Sequence, residues 1–342
     1  MSNVLTLLNT IRANANAMYQ ERVPEATRTN LEKIGELLIS QDTLKNQFLN
    51  ALIDKILFQE ISNRQFTNPL SVLKKGHQPF GVTEEIFTNP IKGEAFDGTE
   101  TGAAKLLKYS MPDTKVMYHK MNRQDMYPVT ISNAQLRKAF TGEGALTAFI
   151  NSVLTALYSG DEMDEFMLMK NTIASAIAGG KLITVPVSYD GEEATCKELV
   201  KAVKTASKQM TFPSKDFNGY NLLNKANIEA GTQTSITTWT PAANQVFLIR
   251  ADVDVATDVE VLAKAFNMEK TEFLKRKIVV DSFGNEKALC MICDEALFKF
   301  KDDEYTTKTF DNGRSLTTNY FLHHWQTLSL SLFANAIVFE QE

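Results

Sequence analysis

Two cysteines and two histidines near the end of the chain form the residue set best suited to chemistry. Cys290 and Cys293 have Cys-x-x-Cys spacing, and with His323 and His324 they would supply four zinc ligands. Residues 288–293, however, have the composition of a strand, in which an odd separation points two side chains to opposite faces. Adjacent histidines in a strand diverge in the same way. We therefore interpret both thiols as buried core residues.

Two further motifs are incomplete. The stretch Thr141–Gly144 precedes a helical pattern but lacks the third glycine and the basic residue of a phosphate-binding loop. Asp252 and Asp254 lack a third ligand at fixed spacing for a divalent cation. The four histidines of the chain lie in no known nucleophile setting. The sequence therefore predicts no enzyme activity, catalytic residue, cofactor or metal.

Composition indicates a globular protein with a sizeable core. Of the 342 residues 44% are hydrophobic and 23% charged, and the net charge is -5. Lysine and arginine are scattered without a basic block, which argues against tight binding of phosphates. Three cysteines favour a reducing compartment. No stretch reaches the roughly 20 apolar residues of a membrane span, and no export leader is recognisable.

Residues 1–73 are predicted to form an N-terminal arm of helices. Apolar residues recur at helical spacing at Leu31, Ile34 and Leu38, and again from Phe48 to Ile56. We expect an arm of this kind to need a partner surface.

Residues 74–130 are rich in glycine and proline and lack a core of their own. Short β-like runs at Glu85–Thr88 and Lys115–His119 predict the two limbs of a long hairpin with a tip near Asp97–Gly102. An isolated two-stranded ribbon is marginally stable in water. We expect this segment to lie on a neighbouring molecule, and the alternative of a solvated, mobile insertion stays open.

The rest of the chain predicts an α+β arrangement. A long helical pattern from Leu146 to Ile177 should be kinked or broken at Gly160 and stopped by the glycine pair at 179–180. Further predicted elements are strands at 182–187, 245–249, 277–280 and 288–293, helices at 196–209 and 259–266, and a strand-forming run at 319–339.

Several short stretches, spaced over most of the chain, carry a family resemblance. They include Asn68-Pro-Leu with Lys74-Lys75-Gly76, Thr83-Glu-Glu-Ile-Phe-Thr88, Met111-Pro-Asp-Thr-Lys-Val, Asn122-Arg123-Gln124, Asp164-Glu-Phe, residues 261–268, Trp325-Gln-Thr-Leu-Ser-Leu-Ser and Phe333-Ala-Asn-Ala336. In their order and spacing the chain resembles the major capsid proteins of short-tailed, podovirus-type phages of Gram-positive hosts.

The resemblance implies the Hong Kong 97-like phage capsid fold, with an N-terminal arm, an extended β-hairpin loop, a peripheral domain built on a spine helix, and an axial domain. Residues 1–73 would be the arm and helices, and 74–130 the extended loop. The peripheral domain would comprise 131–187 and 319–342, and the axial domain 188–318. The implied function is a virion subunit that assembles in the host bacterial cytoplasm into pentamers and hexamers around double-stranded DNA.

Partners follow from the same resemblance. No long N-terminal scaffolding segment is recognised, so a separate scaffolding protein is expected, together with a portal protein and weak, non-specific contact with packaged DNA. Some relatives carry an immunoglobulin-like domain after the shell domain, which is not expected here. The candidate inter-subunit contacts are Lys74, Lys75, His77, Glu84, Glu85, Arg123 and Asp125, and the candidate hinges are Gly76, Gly81 and Gly160.

Two rival functions remain at this point. An encapsulin-like nanocompartment shell would share the fold and enclose a cargo enzyme. A metal-binding or redox protein would use Cys290 and Cys293 as ligands or as a reactive pair.

Overall fold

A computed structural model describes residues 3–56, 66–77, 81–95, 109, 111–140, 148–149, 153, 155–257 and 277–342. The chain divides into two compact units. Unit 1 comprises Met1–Asn68, Arg123–Glu165 and Asp303–Trp325. Unit 2 comprises Pro69–Asn122, Phe166–Asp302 and Gln326–Glu342. The predicted division into arm, extended loop, peripheral and axial domains is a finer one and stays a prediction.

Helices dominate the beginning of the chain and recur between strands. They are α1 (Asn3–Asn14), α2 (Ala17–Arg22), α3 (Leu31–Ser40), α4 (Asp42–Ile56), α5 (Asn133–Ala139), α6 (Gly160–Ala178), α7 (Glu193–Met210), α8 (Gly219–Leu223), α9 (Lys225–Glu229) and α10 (Ala251–Ala256). None of the described helices has the length and hydropathy needed to cross a bilayer.

The strands are β1 (Lys74–His77), β2 (Thr83–Thr88), β3 (Thr114–His119), β4 (Arg123–Ser132), β5 (Ile183–Val187), β6 (Gln245–Arg250), β7 (Lys277–Val280), β8 (Ala288–Asp294), β9 (Phe298–Asn312), β10 (Thr317–Leu330) and β11 (Ala336–Gln341). One sheet has the order β1-β9-β10-β4 and a second has the order β5-β11-β8-β6-β7. Strands β2 and β3 form a separate two-stranded sheet, which we call the hairpin.

The core of unit 1 is built from the apolar faces of its helices. Leu31, Ile34 and Leu38 recur along α3 and are buried, as the helical spacing predicts. Phe48 of α4 packs against Phe140, with ring centroids 5.7 Å apart. The same cluster includes side chains of α1, β4, α5 and β10. The expectation that the first helices need an outside partner surface is therefore corrected, because their described apolar faces are covered by their own unit.

In unit 2 the five-stranded sheet lies between two hydrophobic clusters. Met291 and Cys293 of β8 belong to the cluster that includes residues of α6, whereas Cys290 and Ile292 belong to the cluster that includes residues of α7. The prediction that the two thiols point to opposite faces is confirmed. Both cysteines are fully buried, and burial raises the pKa of each thiol well above its ordinary value. They therefore cannot converge on one metal ion or form a reactive pair.

Most of the predicted elements after residue 180 are confirmed. The strands predicted at 182–187, 245–249, 277–280 and 288–293 are β5, β6, β7 and β8, and the helix at 196–209 is α7. The run at 319–339 forms β10 and β11, and β11 pairs with β5 in parallel. The helix predicted at 259–266, the turn Thr141–Gly144, the hairpin tip Asp97–Gly102 and the resembling stretch at 261–268 lie outside the described residues.

The long helical pattern is irregular directly before Gly160 rather than at the glycine. Thr155–Ser159 forms one π-helical turn, and Gly160 is the first residue of α6. At its other end α6 stops as predicted. Gly180 has a φ of 59°, and the Lys181 amide donates to the Ala176 carbonyl at 2.9 Å.

The packing of α3 generates a test of unit 1. A Cβ atom added to Gly35 would lie 2.3 Å from Cβ of Phe140, far inside contact distance. Gly35→Ala should therefore lower the free energy of unfolding by about 1–3 kcal/mol, since overpacking outweighs the better helix propensity of alanine. Gly313→Ala is the matched control, because nothing lies within 4 Å of its added Cβ. Urea unfolding of both variants measures the difference, and equal midpoints would contradict the packing described here.

Candidate inter-subunit surface

The hairpin has two chemically different faces because successive strand residues alternate. Strands β2 and β3 pair in antiparallel register, with Glu85 opposite Met117 and Ile86 opposite Val116. The predicted limbs are therefore confirmed. The inner face, which is the less exposed one, comprises Thr83, Glu85, Phe87, Lys115, Met117 and His119. The outer face comprises Glu84, Ile86, Thr88, Thr114, Val116 and Tyr118.

Glu85 fixes one end of the inner face to unit 2. Its carboxylate lies 2.9 Å from His119 Nε2 and 2.9 Å from Lys299 Nζ, and it accepts a hydrogen bond of 2.9 Å from Ser331 Oγ. Burial alone would raise the pKa of Glu85, but the hydrogen bonds from His119 and Lys299 outweigh it, so the pKa lies below its ordinary value. His119 is itself 1% exposed, and its Nδ1 lies 2.5 Å from Ser329 Oγ.

A second polar cluster fixes the other end of the hairpin. Asp113 accepts hydrogen bonds from Lys115 at 2.8 Å, Asn89 at 2.6 Å and Thr234 at 2.6 Å. The hydrogen bonds from Lys115 and Thr234 lower the pKa of Asp113 to about 2. Asn89 also donates to the Ser235 carbonyl at 3.0 Å. The hairpin is therefore tied to the loop that holds Thr234 and Ser235.

Apolar contact supports the same attachment, since the Phe87 ring lies 5.6 Å from that of Phe333, centroid to centroid. The expectation that the hairpin must rest on another molecule is thus corrected for its inner face, which packs on its own unit. Glu85 accordingly anchors the hairpin to its own unit.

The outer face is different because its large side chains remain in contact with solvent. Ile86 is 62% exposed, Val116 46% and Tyr118 60%. Tyr118 Oη donates to Glu84 Oε1 at 3.1 Å across the strands. A row of apolar side chains on an exposed strand face is typical of a surface that another molecule covers.

Ile86, Val116 and Tyr118 were not among the contact residues predicted from the sequence, and the structure adds them as candidates. The signal was present, since Ile86-Phe87 and Val116-Met117-Tyr118 put apolar residues on both faces of each limb. Apolar residues on consecutive strand positions indicate that both faces are covered.

Three predicted contact residues, Lys74, Lys75 and His77, lie on β1 and differ in their surroundings. Lys74 Nζ lies 2.8 Å from Asp302 in the same unit. The pKa of Lys75 is lowered, first by burial and then by the nearby Lys299 charge. His77 is exposed at the end of β1, which pairs with β9. Lys75, His77 and Glu84 remain predicted contacts.

Arg123 and Asp125 belong to an internal network of unit 1. Arg123 is 3% exposed, and its guanidinium donates to Asp125 at 2.7 Å, Asp161 at 2.7 Å and Tyr127 at 2.8 Å. Asp161 also lies 2.6 Å from His324 Nδ1. The placement of Arg123 at an interface is therefore corrected, because its charge is buried and neutralised within its own chain. Asp125 keeps 41% of its side chain exposed and stays a candidate.

The candidate cation ligands are engaged by basic side chains. Asp252 pairs with Arg250 at 2.6 Å and Asp254 with Lys277 at 2.6 Å. Both carboxylates lie in the first turn of α10, where negative charge is favoured by the helix dipole. Both carboxylates thus stabilise the fold locally, and a purely structural role for them stays a prediction.

Two of the candidate hinges have the backbone conformation that favours glycine. Gly76 has a φ of 77° and Gly81 a φ of 106°, and nothing lies within 4 Å of an added Cβ at either position. They flank residues 78–80, which lie outside the described part of the chain.

Removing the Glu85 charge tests the attachment of the inner face. Glu85→Gln should lower the free energy of hairpin opening by about 1–3 kcal/mol, because a buried cluster loses its charged acceptor. Native-state hydrogen exchange of the β2 and β3 amides at neutral pH measures this loss of protection. Glu84→Gln on the outer face is the matched control and should change exchange much less, because the amide oxygen of glutamine can still accept the exposed hydrogen bond from Tyr118 Oη.

The pH dependence has a defined sign. Because the folded-state pKa of Glu85 is lowered, its stabilising contribution is present above the ordinary value of 4.5 and is lost as the pH falls through the lowered value. The difference in protection between wild type and Glu85→Gln should therefore shrink on acidification below about 4.5. A difference that is absent at neutral pH would contradict the attachment.

Sequence comparison places the chain in a family. Residues 8–340 match the family described as Phi29-like phage major capsid protein. The major capsid protein of Bacillus phage PZA is 32% identical over 340 residues, which cover 97% of this chain and 72% of that protein. The major capsid protein of Streptococcus phage Cp-1 is 30% identical over 364 residues, which cover 98% of this chain and 93% of that protein.

Solved structures agree in fold. A chain in the capsid structure of Staphylococcus phage Andhra superposes with a TM-score of 0.66 at 16% identity, covering 83% of this chain and 88% of that chain. A chain in a structure of bacteriophage P68 gives a TM-score of 0.60 at 13% identity, covering 82% and 86%. The predicted resemblance is confirmed: this chain belongs to the Phi29-like phage major capsid protein family, has the Hong Kong 97-like phage capsid fold and is a structural component of the phage capsid.

Proposed function

We propose that this capsid subunit assembles with copies of itself into the pentamers and hexamers of an icosahedral or prolate head that encloses double-stranded DNA. The observation that carries the proposal is the exposed outer face of the hairpin, with Ile86, Val116 and Tyr118 on strands that are already anchored. The neighbouring subunit covers this face. Lys75, His77, Glu84 and Asp125 add polar contacts around it.

Anchoring favours association because it lowers the entropy that binding must remove. A free ribbon would lose its conformational freedom on docking, whereas the hairpin is already held by the Glu85 and Asp113 clusters. Each contact can then be small and reversible, so that a misplaced subunit leaves before the shell closes. Stability of the shell arises from repetition of the contact.

One sequence must fit two local symmetries in such a head. Gly76 and Gly81 precede the hairpin and tolerate backbone conformations that other residues avoid. We assign to them, and to Gly160 at the start of α6, the small angular adjustments between pentamers and hexamers. In this arrangement residues 1–73 act as the arm, 74–130 as the extended loop, 131–187 with 319–342 as the peripheral domain and 188–318 as the axial domain.

The other partners are part of the same proposal. A separate scaffolding protein guides assembly in the host bacterial cytoplasm, a portal protein occupies one vertex, and contact with packaged DNA is weak and non-specific. The net charge of -5 supports weak DNA contact, because affinity for DNA depends on neutralising phosphates. The role is structural rather than enzymatic. The encapsulin-like alternative is not favoured, because the relatives that match 95–97% of this chain are phage major capsid proteins.

A charge on the outer face tests assembly. Val116→Asp should raise the concentration needed for assembly at least about tenfold, because burying a valine contributes roughly 1.5–3 kcal/mol and an unpaired carboxylate adds a desolvation cost. Light scattering and electron microscopy, with and without a scaffolding protein, measure assembly. The monomer should stay folded, since Val116 is 46% exposed.

Val255→Asp is the matched control. Val255 is also in unit 2 and is 89% exposed, but it lies on α10 and not on a strand of the hairpin. This variant should assemble like the wild type. Normal assembly of Val116→Asp, or an equal defect in both variants, would count against the hairpin contact.

A further inference from the structure

Helix α7 has a largely apolar buried face and a basic exposed face. Leu199, Val203 and Met210 are buried in the cluster that covers one side of the five-stranded sheet. On the opposite side, Lys197, Lys201, Lys204 and Lys208 are all exposed. We call these four lysines the lysine stripe.

The spacing of the lysine stripe places its members on one line. Separations of four, three and four residues at about 100° per residue keep the four side chains within an arc of roughly 60°. At 1.5 Å per residue they extend over about 16 Å of the helix. The basic residues are scattered along the sequence, and the fold of α7 brings these four together on one surface.

The charge of this surface is largely uncompensated. Lys201, Lys204 and Lys208 form no ion pair with the residues that the structure describes, whereas Lys197 has an interaction of its own. Glu198 is the acidic residue exposed among them. The stripe is therefore a local positive patch on a chain whose net charge is -5.

The composition of the exposed face favours a hydrated polyanion over a protein partner. Thr205, Gln209 and Glu198 lie beside the stripe, and no large apolar side chain of α7 is exposed there. Protein interfaces are depleted of lysine and depend on desolvated apolar anchors, as on the outer face of the hairpin. Phosphates of duplex DNA need only charge neutralisation by flexible point charges, which lysines supply.

We infer that the lysine stripe of α7 is the surface through which the subunit contacts the phosphate backbone of packaged double-stranded DNA. This inference rests on the proposed function, in which the shell encloses DNA. Binding through the stripe is independent of base sequence, weak at physiological salt and steeply weakened by added salt. The face of the five-stranded sheet covered by α7 is accordingly directed toward the interior of the head.

Neutralising the stripe tests the inference on the full chain kept below its assembly concentration. Lys201→Gln, Lys204→Gln and Lys208→Gln are combined in one variant, and binding of a short fluorescent DNA duplex is measured across a salt series. The slope of log affinity against log salt should fall in magnitude by about 2–3, because three phosphate contacts are lost at about 0.9 each. Affinity at low salt should fall at least about tenfold.

The control variant combines Lys33→Gln, Lys120→Gln and Lys287→Gln. These lysines are also exposed, and their removal changes the net charge equally. The control should keep the wild-type slope. An equal loss in both variants would overturn the assignment to α7 while leaving DNA contact by the shell in place.

Two further outcomes distinguish the inference from the proposed function. The inference is overturned if the wild-type protein does not bind the duplex even at low salt. If that same protein still assembles into closed particles, the proposed shell function survives. Polyglutamate serves as a second probe. If neutralising the stripe weakens binding of polyglutamate but not of DNA, the partner is an acidic polypeptide and the DNA assignment is wrong.

Discussion

The structure depends on how a two-stranded ribbon is held in place. Two strands alone are marginal in water, so the hairpin exists as an ordered element only because its inner face is attached to unit 2. Charged hydrogen bonds at Glu85 and Asp113 provide that attachment. Once the inner face is fixed, alternation along the strands directs Ile86, Val116 and Tyr118 to the outside, and an ordered apolar surface becomes available to a neighbour.

The difference between an anchored inner face and an exposed outer face also explains why some charged residues predicted at an interface lie inside the chain. Arg123 and Glu85 sit in buried or half-buried networks, where an unpaired charge would be costly. Their partners are supplied by their own units. Electrostatics therefore orders each unit internally. In the assembly proposed above, the apolar outer face of the hairpin supplies adhesion between subunits, and the lysine stripe of α7 supplies weak attraction for DNA.

Local patterns were sufficient to predict most of the elements. The limbs of the hairpin, helix α7 and strands β5 to β8 follow from short-range periodicity, and the opposite orientation of Cys290 and Cys293 follows from strand geometry alone. Contacts between distant residues were not predictable in this way. Glu85 meets Lys299 and Ser331 only because the fold brings together positions more than 200 residues apart. The lysine stripe was partly predictable. Its helical spacing is visible in the sequence, but only the structure shows that the opposite face of α7 is buried and that the lysines therefore share an exposed surface.

The central claim is that the outer face of the hairpin is covered when subunits assemble. Hydroxyl-radical footprinting of Tyr118, compared between unassembled protein and closed particles, addresses this most directly, since that side chain is 60% exposed in the single chain. The account predicts strong protection of Tyr118 in particles, with Val255 labelled equally in both states. Equal labelling of Tyr118 before and after assembly would contradict it.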